Sequence, residues 1–326
     1  MTRVPHGGAP PSPNPLLPAS LGAAATGADS GKAMTDPSLR DRAVQLYDAF
    51  THEHRDRRTL LRQMTALAGS AVAAEALITG IAASPAAATI IDPADPRLMT
   101  EMRTGTQAGK PARAYVAMLK DTGKAPKRGV VLVIHENRGL TPHIQDVTRR
   151  LALDGFLAVA PDLLAPQGGT PADEDKAREL IGTVDYDLAL AQARAFADEL
   201  RTLPQSSGKV GMIGFCWGGA FVNRMAVAGG IDAGVSYYGP APAPAEATRV
   251  SAPLLLQYAE KDTRVAQTGE PWIAALKAAG KPFQAFTYPG VDHAFNNDTS
   301  AARYDKATAD LAWQRSTAFL HRYLDR

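Results

Sequence analysis

Cys216 is the chain's only cysteine, and it stands in Gly214-Phe215-Cys216-Trp217-Gly218. This is the G-x-C-x-G form of a nucleophile elbow, with a thiol where serine is more usual. The apolar run Lys209-Val210-Gly211-Met212-Ile213 before it reads as a buried strand, and Gly219 to Ala226 after it reads as a helix. An elbow needs small residues on both flanks, because the nucleophile sits in a strained turn with a strand and a helix packed close. The side chain then stands at the C-terminal edge of a sheet, near the positive end of the following helix, where a thiolate is favoured. Taken alone, the pattern also fits an ordinary strand-to-helix turn holding a small buried cysteine.

Two groups that could complete a nucleophilic site follow, each just past an apolar run. Asp262 lies in Tyr258-Ala259-Glu260-Lys261-Asp262-Thr263, and His293 lies in Pro289-Gly290-Val291-Asp292-His293-Ala294-Phe295. Nucleophile, acid, histidine is the chain order of the α/β-hydrolase sheet. Asp292 or Glu260 could supply the acid instead, and Asp262 alone would pass for a turn residue. Of the seven histidines, His6, His52 and His54 precede the core and His321 falls in a terminal helix, which leaves His135, His143 and His293. Glu136 ends a buried strand in Val133-Ile134-His135-Glu136-Asn137-Arg138-Gly139-Leu140. A carboxylate there is costly without a partner, so it either pairs with Arg138 or belongs to the site. A metal site built from His135, Glu136 and His143 does not fit a helical metal motif, because neighbouring strand residues point to opposite faces.

The elements that must position these groups are punctuated regularly. Two segments around Met99–Thr104 and Ala112–Leu119, split by Gly105 and Gly109-Lys110-Pro111, read as an antiparallel hairpin. Gly129–Ile134, Phe156–Ala160, the elbow strand, Gly234–Tyr238, Ala252–Tyr258 and Phe283–Tyr288 read as strands, with helices opening at Thr141-Pro142 and covering residues 184–202. Continuous apolar strands between helices predict an α/β architecture, a mostly parallel central sheet with helices on both faces, preceded by the hairpin. A net charge of +2 gives no footprint for nucleic acid or a membrane surface. One cysteine excludes an intrachain disulfide and a cysteine-built structural zinc site.

The first part of the chain reads differently. Residues 1–33 are rich in Pro, Gly, Ala and Ser and are expected to be disordered, with Met34 a second candidate start. Residues 34–91 are expected to form a helical extension ahead of a domain at 92–326. Within it, Asp56-Arg57-Arg58-Thr59-Leu60-Leu61-Arg62 resembles a twin-arginine export signal, followed by a mildly apolar stretch from Met64 to Ala83 and small residues at Ser84-Pro85-Ala86-Ala87-Ala88 that suit A-x-A cleavage. Export to the periplasm or beyond is the expectation; the alternative is a cytoplasmic protein whose Ala-rich helix packs on the domain. Glu75, Gly69 and Gly80 argue against a stable membrane span.

Ordered motifs across Leu98 to Leu320 resemble the dienelactone hydrolase family of α/β-hydrolases: His135-Glu136-Asn137-Arg138-Gly139-Leu140, Ala160-Pro161-Asp162-Leu163, Gly214-Phe215-Cys216-Trp217-Gly218-Gly219, Tyr237-Tyr238-Gly239, Lys261-Asp262 and Asp292-His293-Ala294-Phe295. The resemblance implies Cys216 as nucleophile, His293 as base, Asp262 as its orienting acid, Glu136 as the carboxylate touching the resting thiol, and the backbone N–H groups of Asn137 and Trp217 as an oxyanion hole. It implies a carboxylic ester or lactone as small-molecule substrate, a thioester intermediate, and neither cofactor nor metal. The family's dienelactone enzymes hold the substrate carboxylate with two arginines. Near the histidine this chain has Asn296-Asn297-Asp298 instead, and Arg178 is a loose match for the other. The alternative from another class is an inactive α/β-hydrolase scaffold used for binding or assembly.

Overall fold

The computed structural model describes residues 38–52, 56–82, 90–120 and 126–325. The expectations for residues 1–33, the Met34 start and the Ser84–Ala88 cleavage site lie outside the described residues. Three helices come first: α1 (Leu39–His52), α2 (Arg57–Ala68) and α3 (Ala71–Ile81). Asp56 caps α2 by accepting the Thr59 N–H, and Gly69 closes it at φ 80°. Ser70 then caps α3. The Ala-rich stretch is therefore broken into two helices bent by 112°. Among the described residues no single helix is long and apolar enough to cross a membrane, although this bent pair has the composition to do so.

The rest follows as β1 (Leu98–Gln107), β2 (Lys110–Leu119), β3 (Arg128–Ile134), α4 (Pro142–Leu153), β4 (Leu157–Pro161), α5 (Glu174–Ile181), α6 (Tyr186–Arg201), β5 (Ser206–Phe215), α7 (Trp217–Ala228), β6 (Ala233–Tyr237), β7 (Leu254–Ala259), α8 (Thr263–Ala278), β8 (Phe283–Tyr288) and α9 (Lys306–Leu324). The strands form one eight-stranded sheet in the order β1-β2-β4-β3-β5-β6-β7-β8. β1 and β2 are the expected antiparallel hairpin, and β2 also pairs antiparallel with β4. From β4 to β8 every pairing is parallel.

Alternate residues of each central strand feed two cores. Val131, Val133, Ile213, Phe215 and Val235 face the layer that includes α4 and α9. Val130, Leu132, Ile134, Met212 and Leu254 face the layer of α6, α7 and α8. A strand buried on both faces needs an unbroken apolar run, which is why these segments read as continuous rather than alternating. After β4 the chain crosses back over β3 to place β5 on its other side, so the loops leaving β3 and β5 diverge from adjacent strand ends. A crevice at such a switch point is where open α/β sheets place their sites. The loop after β3 carries Glu136 and Asn137, and the loop after β5 carries Cys216.

Helices α1–α3 share a small core of their own, with Tyr47, Phe50, Leu60, Met64 and Ile81 at its centre and Ala302, ahead of α9, against it. Arg303 donates to Asp48, Ser300 Oγ donates to the Ile81 carbonyl, and the Ala302 N–H donates to Gly80. The extension thus packs onto the loop that follows His293.

Candidate active site

Cys216 caps the N-terminus of α7 with φ 55° and ψ −114°. A non-glycine residue in that conformation is strained, and the surroundings must impose it. They do so by tethering both sides of its backbone: the Cys216 N–H donates to the Tyr237 carbonyl of β6, and its carbonyl accepts from Ala220 one turn into α7. The flanking glycines are spatially required. A Cβ on Gly214 would sit 2.2 Å from the Gly218 carbonyl oxygen, and one on Gly218 would sit 2.4 Å from that of Ile134. The thiol that results is 5% exposed and stands at the N-terminal end of α7.

Asp262 and His293 meet from adjacent strands. Asp262 follows β7 and is the N-cap of α8, where its Oδ1 accepts the Val265 N–H at 3.1 Å. Its Oδ2 lies 2.5 Å from Nδ1 of His293, which follows β8. Burial works against both charges. For Asp262 the charge and hydrogen bond of His293, with Arg264 behind, outweigh burial and hold the carboxyl below its usual range. For His293 the charges of Asp262 and Cys216 outweigh burial, and its pKa is pushed up to about 10. The other ring nitrogen, Nε2, is buried without a hydrogen-bond partner among the described residues, and a ring nitrogen of His293 lies within 4.8 Å of Cys216 Sγ. Asp292 and Glu260, the alternative acids, are engaged elsewhere. Asp292 pairs with Arg40 at 3.1 Å, and Glu260 accepts the Gly290 N–H.

Glu136 does not pair with Arg138, whose guanidinium goes to Glu174 at 3.1 Å and to the Tyr47 hydroxyl at 2.6 Å. Its Oε2 instead accepts from Asn297 Nδ2 at 2.8 Å. Asn297 is in turn fixed by the N–H and hydroxyl of Thr299. Among the described residues no hydrogen bond joins Glu136 to the thiol. The backbone N–H of Asn137, like that of Trp217, has no acceptor among the described residues, so both are free to donate to a ligand. Of the other two histidines, His135 is a framework residue: it accepts the Leu163 N–H on Nε2 and faces the Glu136 carbonyl through Nδ1. His143 Nδ1 lies 2.9 Å from Asp298.

Position in the chain sets His52 aside, yet the structure brings it to the site. It is the last residue of α1, and its Nε2 lies 4.0 Å from Cys216 Sγ. Its ring meets that of His293 edge-on, with centroids 4.7 Å apart. Burial, reinforced by His293 and by Arg264, Arg303 and Arg138, holds its pKa well below the ordinary value, so the ring is neutral at physiological pH. Tyr238, of the Tyr237-Tyr238-Gly239 motif, also reaches the site. Its ring lies 4.9 Å from that of His293, and its buried hydroxyl has no partner among the described residues. The ligand atoms of His52, Cys216 and His293 lie within 4.8 Å of one another, a nitrogen and sulfur set that zinc accepts.

A cavity of about 390 Å³ opens over the thiol. His52, Asn137, Cys216 and Trp217 line it, and so do Arg178, Arg224 and Arg264. Arg178 is partly committed, donating to the Phe50 carbonyl at the C-terminal end of α1 and stacking on the Phe50 ring. Arg264 keeps one buried guanidinium nitrogen without a partner among the described residues.

Residues 113–324 match the model of the dienelactone hydrolase family. A protein of Escherichia coli K12 named "putative carboxymethylenebutenolidase" is 31% identical over 259 residues, covering 74% of this chain and 94% of its own length. One of the same name from Methylorubrum extorquens is 31% identical over 289 residues, covering 82% and 97%. Among solved structures, a dienelactone hydrolase so assigned, as "putative", from Klebsiella pneumoniae superposes with a TM-score of 0.64 at 29% identity, covering 69% of this chain and 99% of its own. The dienelactone hydrolase of Anabaena variabilis shares the fold at a TM-score of 0.56 and 20% identity. The chain belongs to the dienelactone hydrolase family and is a hydrolase acting on esters or lactones.

Proposed function

We propose that the protein cleaves a carboxylic ester or lactone through Cys216, His293 and Asp262, by way of a thioester acyl-enzyme. The observation that carries this reading is the placement of His293: its Nδ1 is bound to Asp262, and its free, buried Nε2 faces a thiol held in a strained elbow. His293 Nε2 takes the proton from Cys216 Sγ. Sγ attacks the carbonyl carbon, and the oxyanion that forms is received by the N–H groups of Asn137 and Trp217. Losing one such donor typically costs about 100- to 1,000-fold in rate. The C–O bond then breaks, and the departing alkoxide takes the Nε2 proton of His293. Neutral His293 next draws a proton from water, whose oxygen attacks the thioester. Breaking the C–S bond returns the thiolate and releases the acid, so each turnover consumes one water.

The leaving group decides the substrate class. Thiolate is itself a good leaving group, so the tetrahedral intermediate returns to substrate unless the other group leaves as readily. Enolates and the alkoxides of activated esters or lactones, protonated by His293 as they depart, come nearer that condition than amines do. Glu136 is assigned a supporting role in the site, positioned by Asn297. Arg224 and Arg264 supply positive potential in the cavity in place of the absent arginine beyond His293, and they favour a substrate that carries a carboxylate.

The test is hydrolysis of p-nitrophenyl acetate by the full chain beside its Cys216→Ala variant, with the acylated parent trapped and weighed by mass spectrometry. Activity that vanishes in the variant, insensitivity to EDTA, and a mass gain of one acyl group on Cys216 are expected. Equal rates in parent and variant would sink the thiol mechanism.

A further inference from the structure

We propose that His52, delivered by the N-terminal extension, is a second catalytic histidine: its Nε2–H donates to Cys216 Sγ and stabilises the thiolate when it attacks and again when it is expelled from the thioester. The inference rests on Cys216 being the nucleophile. It goes beyond the triad because it makes a residue outside the family-matched region, 113–324, part of the reacting centre.

Three observations carry it. The first is contact: Nε2 is within reach of a long sulfur hydrogen bond to the reacting atom, on a ring set edge-on to His293. The second is that α1 is fastened to the loops that carry His293, Asp262 and Glu136. Arg40 pairs with Asp292 beside His293, and Lys261 beside Asp262 pairs with Asp41. The Asn137 side chain donates to the Thr51 carbonyl, and Arg138 donates to Tyr47. A helix tied to all these loops holds its last side chain in register with them. The third is charge. The ring touches the Cys216 sulfur and His293, and burial together with the charges of His293, Arg264, Arg303 and Arg138 keeps it uncharged. A neutral imidazole carrying its proton on Nε2 adds a donor to the thiolate without competing with the His293 ion pair. It keeps that proton through the whole cycle, so no step depends on its titration.

The experiment is alkylation of Cys216 by iodoacetamide in the full chain, in EDTA so that no metal bridges the three ligands. At pH 6 the His52→Leu variant should react about tenfold more slowly than the parent, with the midpoint of its rate-against-pH curve moved up by about one unit. His52→Gln, whose amide can donate, should recover most of the loss. A leucine variant that reacts at the parent's rate with the parent's curve would overturn the proposal. Independently of any variant, 15N-histidine NMR of the parent should find His52 as the Nε2–H tautomer, with that proton shifting when Cys216 is alkylated. The Nδ1–H tautomer would also overturn it. Neither readout requires turnover. Loss of hydrolysis in Cys216→Ala therefore tests the proposed function, and these measurements test His52.

Discussion

Asp262 holds His293 with one carboxylate oxygen, 2.5 Å from Nδ1, while its other oxygen caps α8 at Val265. Each carboxylate oxygen is held by its own hydrogen bond, which resists rotation of the carboxylate and fixes the ring beside the thiol. Replacing Asp262 by asparagine should keep the cap and remove the charge. We expect kcat/KM for p-nitrophenyl acetate to fall by about 1,000-fold or more, because the wrong ring tautomer is then favoured. Unchanged kinetics would return the orienting role to Asp292 or Glu260.

The same pair sets the pH behaviour. The alkoxide leaves with the His293 proton, so activity should fall as pH rises through about 10 in the parent. Asp262→Asn removes the largest raising influence, and the alkaline limb should move to lower pH. Stability follows with its own sign. A histidine whose folded pKa is raised contributes fully below its unfolded value near 6.5 and loses that contribution as pH climbs toward about 10. The lowered carboxyl of Asp262 contributes above the ordinary carboxylate range and is lost on acidification through its folded value. Melting temperature should therefore decline between pH 7 and 10 more steeply in the parent than in Asp262→Asn.

Arg264 lines the cavity and keeps one guanidinium nitrogen without a partner among the described residues. Arg264→Ala should raise KM for an ester bearing a free carboxylate, such as p-nitrophenyl hemisuccinate, by about tenfold, the range of a hydrogen bond to a charged group. KM for neutral p-nitrophenyl acetate should change little. An equal effect on both esters would assign Arg264 to holding the site together, through its proximity to Asp262 and His52, rather than to substrate charge.

Gly218 has no room for a side chain, since its Cβ would lie 2.4 Å from the Ile134 carbonyl oxygen at the end of β3 and 2.6 Å from that of His135 just beyond it. Gly218→Ala should cost about 1–3 kcal/mol or more, the usual range for overpacking against atoms that cannot move. Chemical denaturation measures it. A variant of parental stability would mean that β3 and α7 can part without harm to the elbow.

Export with cleavage near Ser84–Ala88 and a catalytic His52 make opposite predictions about the native chain. Removal of the first 88 residues would take α1 away, and with it His52 and the ties to Asp292, Asn137 and Arg138. Sequencing the N-terminus of the protein recovered from its own cells should find a chain that begins ahead of Leu39. A mature start between residues 84 and 92 would remove His52 from the working enzyme.

Much of this architecture is readable from local sequence, because its signals are local. The elbow is a strand, a glycine-flanked cysteine and a helix within some twenty residues, and buried parallel strands must be continuous apolar runs. The order of Cys216, Asp262 and His293 along the chain follows from the order of the strands that carry them. The two glycines of the elbow announce a backbone approach that only their size permits. What reading along the chain could not supply is which distant groups are brought within contact. Asn297 lies in the stretch where the family resemblance implies an arginine, and it holds Glu136, 161 residues away. His52 lies 164 residues from Cys216 on a helix whose own pattern is that of a packing segment, with Ala43, Val44, Tyr47 and Phe50 turned inward. Its place beside the thiol depends on ion pairs and hydrogen bonds made to loops at the far end of the chain. Side-chain periodicity along α1 carries no information about those partners, so only the tertiary structure could decide that the extension reaches the site.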